Sequence, residues 1–154
     1  MASTHAWDTM THEMREEMHD LVHFGSIDAA HQSRVALWAT MTVLPILWGL
    51  DMFANIVTDR TTWEGTLSTW ANNILPGSAS AAVVWIGVIT LLIGLLVAAM
   101  PQFGGDVLGV WFAILAINLF SVDQMAFLGL GMVALALCSF AMARLMRGDH
   151  RREA

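Results

Sequence analysis

The chain has 154 residues, 56% hydrophobic and 13% charged, with a mean hydropathy of +0.61 and a formal net charge of −6. A soluble domain carries about 25% charged residues, so this composition excludes an ordinary soluble globule, and the acidic balance excludes nucleic acid as a partner. The lone Cys138 excludes an intrachain disulfide, and its place inside an apolar run predicts a small buried side chain.

Residues 1–33 are polar and acidic, with no basic start and no apolar core of a cleavable leader, so the first apolar run is expected to serve as its own insertion signal. Within them Trp7, Met10, Met14, Met18 and Leu21 recur at three- and four-residue steps, the stripe of an amphipathic helix. This stripe is a candidate partner-binding face, set against a protein partner or the protein's own bundle, because an acidic opposite face disfavours anionic lipid. On that opposite face His12, Glu16, His19 and His23 fall at i, i+4, i+7 and i+11. Imidazoles and a carboxylate so spaced are a candidate metal site, and Glu16-x-x-His19 has the spacing of di-iron bundles. A second copy of that motif is missing, and a solvated polar face or a pH-sensitive docking face explains the same residues.

A membrane bundle is expected over residues 34–147, with a basic tail at 148–154. Its first span covers about 35–57, long enough to cross the hydrocarbon layer, which takes about 20 apolar residues. Pro45 predicts a kink. Asp51 and Asn55 follow four residues apart, and a carboxylate inside a span is costly enough to mark either a proton or ligand site or a buried polar tie. No basic residue lies deep in any span to pair with Asp51; Asn55 and Asn118 are its candidate hydrogen-bond partners.

An outer interfacial helix is expected over 62–75, with Thr61 and Glu64 as a capping box and Trp63, Leu67, Trp70 and Ile74 as its apolar stripe. The second span, 79–100, sets Ser80, Gly87 and Gly94 at seven-residue steps, small residues on one line that let helices approach closely. Residues 101–106 read as a tight turn from Pro101 to Asp106. A short third span follows over 107–122, carrying Asn118, and a fourth over 125–146. Arg15 and Arg34 precede the first span and Arg144, Arg147, Arg151 and Arg152 follow the last, against Arg60 alone between the first two, so both termini are expected in the cytoplasm. The fold expected is all-α: an integral membrane four-helix bundle with an amphipathic N-terminal helix.

The run Leu44-Pro45-Ile46-Leu47-Trp48-Gly49-Leu50-Asp51-Met52-Phe53-Ala54-Asn55, the Trp-bearing segment leading to Pro76, the Gly-rich second span and Pro101 before two further spans resemble the small DoxX-like membrane proteins of bacteria. The likeness covers about residues 35–146. It implies a four-helix bundle in the bacterial cytoplasmic membrane; some members are linked to quinone-coupled sulfur oxidation or to redox-stress complexes. Members often carry a Lys where this chain has Met52.

Catalytic motifs are absent: there is no Gly-rich nucleotide loop, no Cys-x-x-Cys, and no Ser/His/Asp constellation in the spans. The first functional expectation is therefore an accessory or anchor subunit of a larger respiratory or photosynthetic redox complex, partnered by the bilayer and by other membrane subunits or its own copies, and not catalytic alone. A quinone-linked oxidoreductase subunit is the second expectation, with quinone as cofactor. A small transporter or proton pathway through Asp51 is the third.

Overall fold

A computed structural model describes residues 32–150, with side chains through Arg147. The chain divides into two compact units, Met1–Ala36 and Leu37–Ala154, and the bundle is built from the second. The stripe from Trp7 to Leu21 and the cluster His12, Glu16, His19 and His23 lie outside the described residues.

Among the described residues four helices are long and apolar enough to cross a membrane: α1 (Gln32–Ala54), α4 (Ala79–Ala99), α5 (Pro101–Phe120) and α6 (Ala126–His150, of which Ala126–Arg147 is the candidate span). Between α1 and α4 lie two short helices, α2 (Arg60–Glu64) and α3 (Thr69–Ile74). The described residues contain no strand. The protein is thus an integral membrane four-helix bundle.

Helix boundaries follow local chemistry. Asn55 adopts φ +54 and ends α1 three residues before the expected limit, its N–H bonding back to the Asp51 carbonyl at 2.8 Å. Left-handed geometry of this kind is the usual device for terminating a helix, and Asn tolerates it. Helix α1 runs unbroken through Pro45, whose buried ring packs beside Gly94. The single outer helix expected over 62–75 is instead two. Asp59, with no side-chain bond, precedes α2, so Thr61 does not cap it; Ser68 caps α3 by accepting from the Ala71 N–H at 3.3 Å.

The third span is longer than expected. Residues 101–106 are not a turn but the first turns of α5, and Met100 alone separates α5 from α4. Proline is at home in the first turn of a helix, where its missing N–H would have no intrahelical partner. Gly104 makes the sharp hairpin possible, because a Cβ there would stand 2.6 Å from the Val97 Cα.

Backbone proximity governs the rest of the packing. Gly49 on α1 meets Gly87 on α4, and a Cβ on Gly49 would lie 2.6 Å from the Gly87 carbonyl oxygen. Gly94, one heptad on, receives Ile46 and Pro45. Gly105 and Gly109 admit Met142 and Phe140 of α6. Helix α5 is the innermost span, with half its most apolar window buried (50%) against 33% in α6. Around it Phe112, Leu108, Val83, Val97 and Met142 form the interior. Between α4 and α5 the polar side chains are paired: Trp111 Nε1 donates to Thr90 Oγ1 at 3.0 Å, and Thr90 to the Ile86 carbonyl at 2.7 Å. Large apolar side chains such as Leu47, Leu92, Ile117, Phe127 and Leu137 face outward, as a surface solvated by lipid requires. Cys138 is among the exposed positions rather than buried. It lies on the lipid-facing side of a run whose other side, Ala136 and Ser139, is buried, and hydropathy alone does not separate the two.

Candidate functional site

The distal end of the bundle, where α1 finishes and α4 begins, gathers three buried polar side chains, Asp51, Ser68 and Asn118. Asp51 sits in the last turn of α1 and is 8% exposed. After Asn55 the chain doubles back over it. Asp51 Oδ1 accepts from the Val57 N–H at 2.6 Å and the Thr58 N–H at 3.2 Å, while Oδ2 accepts from Trp63 Nε1 at 3.3 Å. These are backbone and indole donors that a segment leaving a helix within the membrane boundary must satisfy somewhere. Arg60 Nη2 donates to the Phe53 carbonyl at 3.1 Å, a cation at the carbonyl end of the helix.

Asn118, on α5, holds the other half of the same segment. Its Oδ1 accepts from the Ser68 N–H at 3.0 Å and the Ser68 hydroxyl at 2.8 Å, and its Nδ2 donates to the Thr66 carbonyl at 2.8 Å. Ser68 in turn caps α3. Farther along, Trp70 Nε1 donates to Ser121 Oγ at 3.2 Å. The connection from Val57 to Trp70 is therefore strapped to α1 by Asp51 and to the end of α5 by Asn118 and Ser121.

Of the three residues singled out as a ligand or proton site, Asp51 and Asn118 are buried beneath this one strap and Asn55 stands exposed at its start. The nearest donors to the Asp51 carboxylate belong to the strap, not to Asn55 or Asn118. Among the described residues no three His, Cys, Asp or Glu side chains gather as a metal site would require.

Beneath the strap lies a cavity of about 580 Å³. Trp48 and Met52 of α1, Trp63 and Leu67 of the strap, Val83 and Ile86 of α4, Leu115 and Leu119 of α5, and Leu128, Met132 and Leu135 of α6 form its walls. Polar side chains enter only from Thr58, Thr62, Thr66 and Asn118, on the strap and under it. Trp48 and Trp63 meet in the wall with ring centroids 5.8 Å apart at 47°, and Phe112, 6.5 Å from Trp48, belongs to the core behind them. Volume and lining match a site for a small lipophilic molecule.

Sequence reasoning does not reach this cavity. It places Trp63 and Leu67 on an interfacial stripe, whereas both are partly buried against the core. Trp48, a large aromatic residue inside the first span and one turn from Asp51, is the available signal.

No family model, no curated protein and no solved structure matches the chain.

Proposed function

We propose that the protein is an accessory subunit of a larger membrane redox complex and that its contribution is a binding cavity for a quinone-class ligand. The observation that carries this reading is the cavity of about 580 Å³, with apolar and aromatic walls and polar groups confined to one end. A substituted quinone has the same division: a flat ring with two carbonyl oxygens, and an apolar tail. Asn118 supports the match chemically. An amide nitrogen carries two hydrogens, and the Thr66 carbonyl engages one, leaving a donor suited to a carbonyl oxygen. The resemblance to DoxX-like proteins points the same way.

The arginine distribution supports an orientation with both termini in the cytoplasm, and the DoxX resemblance supports a bacterial membrane; in that orientation the strap and cavity face outward. Asp51 fits a clamp better than a proton carrier, since both its oxygens are occupied by N–H donors of the strap.

Purification of the full chain from its native membrane in mild detergent tests this reading, with mass spectrometry for partners and solvent extraction for quinones. A partner in fixed ratio and a retained quinone are expected, and a quinone bearing a ten-carbon chain should raise the melting temperature of the purified protein. Saturation at a hundredfold excess over Kd stabilises by about 2.7 kcal/mol. A lone chain that neither retains quinone nor is stabilised by it would overturn the proposal.

A further inference from the structure

The cavity has a way in. Helices α1 and α6 touch in the half of the bundle away from the strap, where the buried Ser139 Oγ lies 3.4 Å from Met41 Sδ. Toward the strap both border the cavity. Trp48 and Met52 on α1 and Leu128, Gly131, Met132 and Leu135 on α6 line the same cavity, the α6 residues at the three- and four-residue steps of one helical face.

Gly131 is unlike the other glycines of the spans. Each of those would bring a Cβ to 3.0 Å or less from a neighbouring atom; at Gly131 nothing lies within 4 Å. It is exposed and yet lines the cavity. In a span glycine costs about 1 kcal/mol of helix propensity relative to alanine, and here close helix packing does not account for it. It opens the cavity wall at the level of the bilayer.

We propose that the cavity is filled sideways from the lipid phase, through a slot between the distal halves of α1 and α6. The bound quinone lies with its ring beneath Thr58, Thr62, Thr66 and Asn118, and its isoprenoid tail leaves past Gly131. This rests on the quinone reading of the cavity. Two arguments favour the route. On the aqueous side the strap is held across the cavity by its buried ties, Asp51 and Asn118. A tailed quinone is dissolved in the bilayer, so a lateral slot lets the tail stay in hydrocarbon while only the ring changes environment.

Gly131→Leu tests the slot at a position where nothing lies within 4 Å of the new Cβ. Binding to the purified full chain is read by quenching of tryptophan fluorescence with two probes, a benzoquinone bearing a ten-carbon chain and the same ring without a chain. In Gly131→Leu the tailed probe should bind at least tenfold more weakly and the tailless ring within threefold of wild type. Leu137→Trp, at an exposed position of α6 off the cavity, should change neither. Photolabelling by a tailed quinone with a diazirine at the chain end should mark wild-type α6 between Leu128 and Leu135, in competition with tailless quinone but not with excess phospholipid.

Unchanged affinity of the tailed probe in Gly131→Leu, or labels on α4 and α5 instead, would overturn the slot while leaving the quinone cavity standing. Competition by phospholipid would replace the quinone with a lipid. If neither probe binds the wild type, the cavity reading itself falls, and the slot with it.

Discussion

The indole of Trp63 has two roles at once: its Nε1 donates to Asp51 Oδ2 at 3.3 Å, and the ring forms part of the cavity wall beside Trp48. Asp51 thereby fixes the orientation of a wall residue as well as the path of the chain after α1. The carboxylate that reads in sequence as reaction chemistry is, in its contacts, an anchor for the pocket next to it.

Asp51→Asn is expected to destabilise the protein. An amide presents one oxygen and one NH₂ where two acceptors are needed, so at least one of the Val57, Thr58 or Trp63 N–H groups loses its partner. An unpaired buried donor costs about 1–3 kcal/mol. Thermal unfolding in detergent should show a lower midpoint, with a shift in tryptophan emission as Trp63 is released. Full stability together with lost proton flux in liposomes would reverse this picture and make Asp51 a proton carrier.

Asn118→Leu keeps the side-chain volume close and removes three bonds together, stranding the Ser68 N–H, the Ser68 hydroxyl and the Thr66 carbonyl. The loss should be local. Amide hydrogen exchange should quicken over residues 57–75, while the packed half of α5 and α6 around Gly105, Met142 and Ser139 keeps its protection. Such a pattern is what a strap opening as its own unit would give. Uniformly faster exchange across all four spans would mean that Asn118 supports the bundle rather than the strap.

Sequence periodicity reaches as far as the neighbouring helix and no farther. The apolar runs locate all four spans, and the seven-residue spacing of Gly87 and Gly94 marks the face that meets α1. Misplaced boundaries come from residues with two permitted readings. Pro101 ends helices but also begins them, and it begins α5; Ser68 caps a second short helix where the stripe through Trp63 and Trp70 suggests one. The cavity is illegible for a different reason. Its walls come from the strap and all four spans, from Trp48 to Leu135, and the pattern along one helix does not reveal a gap between helices. Asp51 and Asn118 are visible as costly polar residues, but the partners that explain them are largely backbone groups of the strap, which have no signature in sequence.

The Asp106–Arg147 ion pair ties α5 to α6 at the end opposite the strap, and both side chains are substantially exposed, 36% and 51%. An exposed pair is worth about 0–1 kcal/mol because water screens it. Arg147→Ala should therefore leave the thermal midpoint nearly unchanged, and its small effect should vanish in high salt. A loss as large as that from Asn118→Leu would show that this end is held chiefly by charge. Gln102, whose Nε2 donates to the Met146 carbonyl at 3.1 Å, is the second tie there and remains in the variant.

Two Gly→Ala substitutions, chemically identical, should have opposite effects. At Gly49 the added methyl would lie 2.6 Å from the Gly87 carbonyl oxygen and 2.7 Å from the Leu91 nitrogen, both backbone atoms that move only if α1 and α4 separate. Overpacking of that kind costs about 1–3 kcal/mol, more than the roughly 1 kcal/mol that alanine gains in helix propensity. At Gly131 no atom lies within 4 Å of the new methyl, so only the propensity gain remains. Gly49→Ala should lower the unfolding midpoint and Gly131→Ala should hold or raise it, measured side by side in one detergent. A fall at Gly131 equal to that at Gly49 would mean that the gap between α1 and α6 is closed in the folded protein. The slot through which we propose quinone to enter would then not exist.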